Sequence, residues 1–448
     1  MQVVFGTDGV RDVANTKLTP EIAFIIGRIG VGKILSKSSN FKAKVVIGMD
    51  TRISSPMLEA AISSGIASLG VDVLCAKYIP TPAVARLAVE LGCDLGVVIS
   101  ASHNPFEYNG IKFFDGEGFK LSDSIEREIE EEIKEFQATG KDVYPRLSGD
   151  KVGRIIELDD AIKRYTQYVV DSVDTDLLGL HIVLDCANGA ASFTSREILE
   201  KLGAKVTEIC ASPNGVNIND KCGSTYPDML CETVKKVAAD FGIAHDGDAD
   251  RVITCDHLGN IVDGDDMMAI CAKAYKHKAI VATNYSNLGL KKAMDSISCE
   301  VVLAENGDRY VLEEMKKRGI TLGGEKSGHI IFLDCSTTGD GILTGVKLAK
   351  AIVDTGKSLN EMASDIKHFP QVLKNVYVED KNAYGRSKLL EEAILKAEAE
   401  IGEYGRVYIR ASGTEPVIRV MVEAEDLAMV EDIADRLAEL ISIESLKN

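Results

Sequence analysis

Three aspartates, Asp246, Asp248 and Asp250, occupy alternate positions of the segment Asp246-Gly247-Asp248-Ala249-Asp250-Arg251. In an extended loop such positions lie on one side, so the three carboxylates are expected to converge, with Gly247 and Ala249 adding no bulk between them. Converging like charges call for a cation, and an all-oxygen set suits Mg²⁺ or Ca²⁺. An EF-hand would need glycine at the sixth loop position and glutamate at the twelfth, where this chain has Arg251 and His257. Three carboxylates leave coordination positions open, as in a site where a metal meets a phosphate oxygen. The bland alternative is an acidic surface turn.

Ser102 lies in Ser100-Ala101-Ser102-His103-Asn104-Pro105, directly after the apolar run Leu95–Ile99. Pro105 stops the chain from continuing as sheet or helix, so the serine hydroxyl is expected to stand exposed at a strand end. In an extended segment His103 points away from it, which disfavours a protease-type Ser-His pair. A hydroxyl that carries a phosphoryl group beside a metal and a lysine fits better, a plain turn being the alternative. Lys112, in Asn109-Gly110-Ile111-Lys112, is placed to return to the same site. Arg410-Ala411-Ser412-Gly413-Thr414-Glu415-Pro416, with Arg419 just beyond, unites a guanidinium, two hydroxyls and a flexible glycine. Those are the groups a phosphate monoester needs, unless this too is an ordinary turn. In Gly323-Gly324-Glu325-Lys326-Ser327-Gly328-His329, Glu325 and Ser327 share a face and offer an acceptor and a hydroxyl to a polyol. His329 could transfer protons or simply be structural ahead of the apolar run.

These loops need elements to hold them. Val45–Ile47, Leu95–Ile99, Ile182–Leu184, Val301–Ala304 and Ile330–Leu333 read as buried strands, alternating with helical patterns such as Met57–Leu69 and Ile198–Leu202. Strands alternating with helices predict βαβ units and a largely parallel sheet, in which ligands bind at the carboxyl ends of strands. The polar loops at Asp50-Thr51-Arg52, Ser100–Pro105 and His245–Asp248 all follow strands. The acidic run Glu126–Glu135 carries Ile125, Ile129, Ile133 and Phe136 at helical spacing, with Asp123 and Glu126 placed like a capping box. It is expected to be an amphipathic helix closing the first domain. Two nucleotide-like motifs fail on context. Ala351–Ser358 follows a helical segment rather than a strand, and Gly27, Gly30 and Gly32 sit inside a predicted helix.

At 448 residues the chain predicts about three or four domains. Its 51 basic and 69 acidic side chains give a net charge of −18, which repels nucleic acid and anionic lipid. An anionic substrate therefore needs a local cluster of Arg and Lys. Hydrophobic residues make up 45%, with no apolar run long enough to span a bilayer and no export signal at the N-terminus, so a cytoplasmic globular protein is expected, with no membrane partner. The ten cysteines lack C-x-x-C spacing and read as small buried hydrophobes.

Taken in order, Gly6-Thr7-Asp8-Gly9-Val10-Arg11, the Ser102 loop, the Asp246–Arg251 loop, the Glu325–His329 loop and Arg410–Pro416 resemble the α-D-phosphohexomutase superfamily, over essentially the whole chain. Pro213–Asn219, Gly307-Asp308-Arg309-Tyr310-Val311 and Ile418–Met421 are most similar to its branch acting on glucosamine phosphates. The resemblance implies three related α/β modules with mixed, largely parallel sheets plus a smaller C-terminal α+β domain around one cleft. These are expected at residues 1–150, 151–253, 254–367 and 368–448. It implies a phosphorylated Ser102, one Mg²⁺ held by Ser102, Asp246, Asp248 and Asp250, and Arg11, Lys112, His103, Arg251 and His329 as catalytic candidates. Glu325, Ser327, Gly307, Asp308 and Arg309 would bind the sugar, and Arg410, Ser412, Gly413, Thr414 and Arg419 the phosphate that is not reacting.

The implied reaction interconverts glucosamine 6-phosphate and glucosamine 1-phosphate through glucosamine 1,6-bisphosphate, with a small hexosamine phosphate as partner, no nucleic acid or membrane, and a homodimer possible. A phosphomannomutase or phosphoglucomutase with the same machinery is the alternative. A silent sugar-phosphate binder would lack the serine, a metal aspartate or the phosphate grip, all of which are present. The chain departs from the family pattern at Asp12, where glycine is common, at Lys326 in the sugar loop and at Glu305-Asn306.

Overall fold

The computed structural model describes residues 5–6, 9–36, 43–378, 387–402, 405–411 and 416–445. Within these residues the chain forms four sheets, three of them mixed and the last purely antiparallel. The first runs Val10–Val13, Tyr108–Asp115, Leu95–Ile99, Lys44–Met49, Asp72–Tyr78, Ile155–Glu157 in spatial order. Lys44–Met49 is parallel to both of its neighbours. Period-two alternation sends its residues to different cores. Val45 and Ile47, with Val97 and Ile99 of the next strand, face the helices of this module, whereas Val46 and Val98 join a core shared with the modules that follow.

A second sheet orders Ile261–Val262, Val252–Asp256, Phe241–His245, His181–Asp185 and Lys205–Ile209. A third orders Glu300–Ala304, Ala279–Thr283, Leu322–Gly324 and Ile330–Phe332. In all three modules a strand of the parallel set turns back on itself as an antiparallel hairpin. Leu95–Ile99 pairs with Tyr108–Asp115, Phe241–His245 with Val252–Asp256, and Leu322–Gly324 with Ile330–Phe332. The Ser102, aspartate and Glu325 loops are the tips of these hairpins. The fourth sheet, Gln371–Tyr377, Val417–Glu423 and Arg406–Ala411, packs with the helices Lys388–Ile401 and Leu427–Ser445 in a core of its own. Its strands Arg406–Ala411 and Val417–Glu423 pair antiparallel.

The acidic helix spans Asp123–Thr139, buries Ile129 and Ile133, and ends on Gly140 in the left-handed region (φ 68°). The expected capping box does not form. Ser122 is the N-cap, and Asp123 and Glu126 turn instead to Arg309 of the third module. Gly27 lies in a helical stretch that crosses Ser55–Ala67 closely: a Cβ at Gly27 would stand 2.5 Å from the Ile62 carbonyl oxygen, and one at Gly65 2.4 Å from that of Phe24. Backbone contact rather than nucleotide binding explains these glycines. Ala351–Thr355 is the last turn of the helix Gly341–Thr355, and Ser358 caps the next. Among the described residues no helix is long and apolar enough to cross a membrane.

Candidate active site

Ser102 is neither extended nor exposed. It sits in the left-handed region (φ 50°) with no accessible surface. A side chain bearing Cβ adopts that conformation only when its surroundings impose it. Here Ser102 N–H donates to Ser100 Oγ (2.9 Å), and its carbonyl accepts from Arg52 Nη2 (2.9 Å) and Asn219 Nδ2 (2.8 Å). Arg52, itself fully buried, also donates to the carbonyls of Asn104 (2.8 Å) and Pro105, while its Nε meets Asp50 at 2.8 Å. Asp50 accepts in turn from Ser100 and Ser55. This Asp50–Arg52 brace went unrecognised in the sequence, where the polar loop after a strand was the only signal. The serine Oγ donates to Asp246 Oδ2 at 2.5 Å. Because Ser102 is left-handed, His103 Nδ1 comes to 3.5 Å from Oγ instead of pointing away. Burial first, then Arg251 and Arg11, push the His103 pKa down to about 4, so the ring is neutral near pH 7. Arg11 faces Gly110 across the edge strand.

The aspartate loop is a turn, not an extended segment, with Ala249 left-handed (φ 56°). The carboxylates nevertheless converge: one oxygen from each of Asp246, Asp248 and Asp250 lies within 4.8 Å of the others, and all three residues are buried. Lys112 Nζ bridges Asp248 (2.9 Å) and Asp250 (3.5 Å), and Thr81 Oγ1 donates to Asp248 at 2.6 Å. Burial, then the charges of Asp250 and Asp248, raise the Asp246 pKa well above its ordinary value. Burial opposes ionisation of Asp250 too, but Lys112, His329 and Arg251 hold its pKa well below the usual range. Oδ1 of Asp248 and Oδ1 of Asp250 are buried without a hydrogen-bond partner, and hard anionic oxygens left in that state suit a divalent cation.

Beside this loop opens a cavity of about 280 Å³. It brings together Asp250, Arg251, Gly307, Asp308, Glu325, His329, Arg410 and Arg419 from the sequence reading, and adds Lys120 and Tyr285, and Asn306, which the sequence marked only as a departure from the family pattern. His329 is buried, with Nδ1 3.8 Å from Asp250 and Nε2 3.5 Å from Asp308, and Nε2 accepts the Gly339 N–H at 3.0 Å. Burial disfavours its protonated form, but Asp250 and Asp308 outweigh it and raise the pKa. Gly307 (φ 131°) donates its N–H to Glu325 Oε1 at 3.1 Å, and Asp308 pairs with Lys120. Arg410 and Arg419 face each other across their strands, with Arg410 over the Tyr285 ring.

Two residues expected at the sugar lie elsewhere. Arg309 does not line this cavity; it pairs with Asp123 and Glu126 (2.8 Å) and ties the third module to the first. Ser327 is exposed at its loop tip, 3.4 Å from Glu325, and does not line the cavity. Ser412, Gly413 and Thr414 lie outside the described residues.

The fold and this arrangement define a phosphohexomutase. The phosphoglucomutase/phosphomannomutase α/β/α domain I model matches residues 2–139, domain II 163–259, domain III 263–369 and the C-terminal domain 373–440. The chain belongs to that family and is a mutase, an isomerase by class. The family is metal-dependent, and the aspartate cluster is a candidate acidic site for the metal.

The phosphoglucosamine mutase of Desulforamulus reducens is 49% identical, over 98% of this chain and 99% of its own. Among solved structures, a phosphoglucomutase/phosphomannomutase family protein from Burkholderia thailandensis superposes with a TM-score of 0.82 at 22% identity, covering 99% of this chain and 98% of that one. An Aspergillus fumigatus N-acetylphosphoglucosamine mutase in complex with GlcNAc-6P and magnesium gives 0.68 at 17%, covering 99% and 96%.

Proposed function

We propose that this enzyme interconverts glucosamine 6-phosphate and glucosamine 1-phosphate, in the cytoplasm, on the route to UDP-N-acetylglucosamine. The observation that carries the reading is the Ser102 hydroxyl held 2.5 Å from Asp246, in a cluster where two further aspartates each keep a buried oxygen without a hydrogen-bond donor. Phospho-Ser102 gives its phosphoryl group to the 1-hydroxyl, the 1,6-bisphosphate turns over in the cleft, and the 6-phosphoryl returns to Ser102. Asp246, Asp248, Asp250 and the Ser102 oxygen are the groups that would hold one Mg²⁺. When bound, Mg²⁺ neutralises charge on the phosphoryl oxygens. The Aspergillus relative, whose complex contains magnesium, supports that choice of ion.

Phosphoryl transfer depends mostly on positioning and charge neutralisation. Lys112 keeps a cation between Asp248 and Asp250, and Arg251 adds a second positive group at the cavity wall. Arg11 adds its charge near His103. His329, held by Asp250 and Asp308, can store a proton at the sugar hydroxyl, and neutral His103 can accept one beside Ser102 Oγ. Glu325, braced by the Gly307 N–H, accepts from sugar hydroxyls, with Asp308 as a further contact. Arg410, Arg419, Ser412, Gly413 and Thr414 grip the phosphate that is not reacting. This grip supplies the cationic cluster that an anionic substrate needs against a net charge of −18.

The test compares turnover of glucosamine, glucose and mannose 6-phosphates with Mg²⁺ and a trace of the matching bisphosphate. Glucosamine 6-phosphate is expected to lead in kcat/KM by about a hundredfold, some ~2.7 kcal/mol of transition-state discrimination. A lead for glucose or mannose would make the enzyme a phosphoglucomutase or phosphomannomutase. Ser102→Ala should fold and lose nearly all turnover; substantial retained activity would remove the phosphoserine.

A further inference from the structure

Away from the cleft machinery, the second module brings two thiols together. Cys210, which follows the strand Lys205–Ile209, and Cys222 have their Sγ atoms within 4.8 Å of each other and of the Asp185 carboxylate. Cys222 is buried, whereas Cys210 is half-buried and accessible to a small reagent. Cys210 is held in the left-handed region (φ 49°), and Asn188 N–H donates to its carbonyl. We propose that Cys210 and Cys222 form a thiol pair that a small-molecule disulfide oxidises to an intramolecular disulfide, and that this bond displaces the loop bracing Ser102.

The chemistry balances as thiol–disulfide exchange. The Cys210 thiolate attacks one sulfur of the reagent and expels a thiolate. Cys222 then loses its proton to solvent and attacks the Cys210 sulfur of the mixed disulfide, expelling the second thiolate. Two protein thiols are oxidised and the reagent is reduced to two thiols. The division of roles follows the surroundings: a hydrogen bond from Cys222 lowers the Cys210 pKa, while that bond and burial raise the pKa of Cys222. Cys231 and Cys255, also neighbours, are both buried in an apolar core and are not expected to react while the protein is folded.

The consequence comes from what lies between the two sulfurs. Residues 211–221 carry Gly215, whose carbonyl accepts Ile53 N–H at 2.8 Å, and Asn219, whose Nδ2 donates to the carbonyls of Ser102 (2.8 Å) and Asn104 (3.1 Å). Gly223, next to Cys222, donates its N–H to Asp185 at 2.8 Å. A disulfide requires a sulfur separation of about 2 Å. Closing it draws the two ends of this segment together and so shifts Asn219, three residues from Cys222, against the serine loop it braces.

The experiment treats the full chain with glutathione disulfide, maps its peptides by mass spectrometry and assays mutase turnover before and after dithiothreitol. A Cys210–Cys222 peptide is expected, with a loss of turnover of roughly tenfold or more, because an ångström-scale misplacement at a reacting group costs on the order of a hundredfold. Dithiothreitol should restore activity, and Cys210→Ser, active at the outset, should resist the reagent. Failure to form that bond while Cys210 is modified overturns the proposal. So does a mapped bond that leaves turnover unchanged. The mapping does not depend on which hexose phosphate is the substrate, so it stands or falls separately from the proposed reaction.

Discussion

A fully buried serine hydroxyl 2.5 Å from a buried carboxylate is costly to assemble, and Arg52 carries much of that cost. It gives hydrogen bonds to the carbonyls of Ser102, Asn104 and Pro105 and a fully buried ion pair to Asp50. Removing one partner of a buried pair leaves the other charge uncompensated, so Arg52→Met should destabilise the protein by about 3–5 kcal/mol in urea unfolding. Arg52→Lys keeps the charge but not the planar fork, and should recover part of that stability with kcat still reduced. The aspartate cluster makes the opposite kind of prediction. On the proposed reading, Mg²⁺ meets these buried oxygens, which lack hydrogen-bond donors, in the folded state alone, so saturating Mg²⁺ at about a hundred times Kd should add ~2.7 kcal/mol. Asp248→Asn and Asp250→Asn should abolish that increment in thermal melts, and chelation should abolish turnover in the parent. Residue types made Ser102 and the three aspartates legible in the sequence. The left-handed backbone at Ser102 and Ala249 was not, because nothing in a Cβ-bearing residue announces positive φ. Arg52 stayed hidden because an arginine two residues from an aspartate reads the same whether buried or on the surface.

At the scale of elements, the same device recurs. A parallel strand ends, the chain doubles back as an antiparallel neighbour, and the hairpin tip carries the chemistry. The strands were legible as apolar runs, and the loops as polar segments following them. The parallel pairing followed from strands alternating with helices, but the antiparallel returns did not, since alternation of side chains fixes which face each takes and says nothing of strand polarity. The three-residue strand Leu322–Gly324 is too short to show a period. Behind these hairpins the helix Gly341–Thr355 begins at Asp340, whose Oδ1 accepts Leu343 N–H and whose carboxylate accepts Tyr165 O–H, all buried. Burial pushes its pKa from the ordinary 3.8 up to about 6, against the pull of those hydrogen bonds. The folded state therefore binds more protons than the unfolded one between about pH 4 and pH 6, and stability falls as pH rises through that window. Asp340→Asn keeps the cap and the tyrosine contact without the charge. It should flatten this part of the profile and gain on the order of 2–3 kcal/mol relative to the parent above pH 7, measured as urea midpoints across the range. Asp340→Ala should instead lose about 1 kcal/mol of capping.

At the scale of the molecule, the cavity exists because separate modules are held against one another, and Arg309 supplies one tie of the third module to the first. The family resemblance implied Arg309 at the sugar together with Gly307 and Asp308. In the fold the motif splits, with Asp308 facing the cavity and Lys120 while Arg309 turns to Asp123 and Glu126 of the first module. Such a partition depends on how a helix of another module packs, which no local pattern encodes. Glu126 and Arg309 are both nearly buried, so Arg309→Met strands a carboxylate and should destabilise the protein by several kcal/mol. That loss alone would not distinguish a tie between modules from a simple packing defect. The double variant Arg309→Met/Glu126→Gln does, because it removes the stranded charge and should recover most of the stability while the tie stays broken. If the tie sets the geometry of the cleft, the double variant will melt near the parent temperature, show a larger radius of gyration in solution scattering, and keep a depressed kcat/KM. A double variant that recovers turnover along with stability would reduce Arg309 to a packing residue and leave Lys120–Asp308 as the contact that aligns the modules across the cavity.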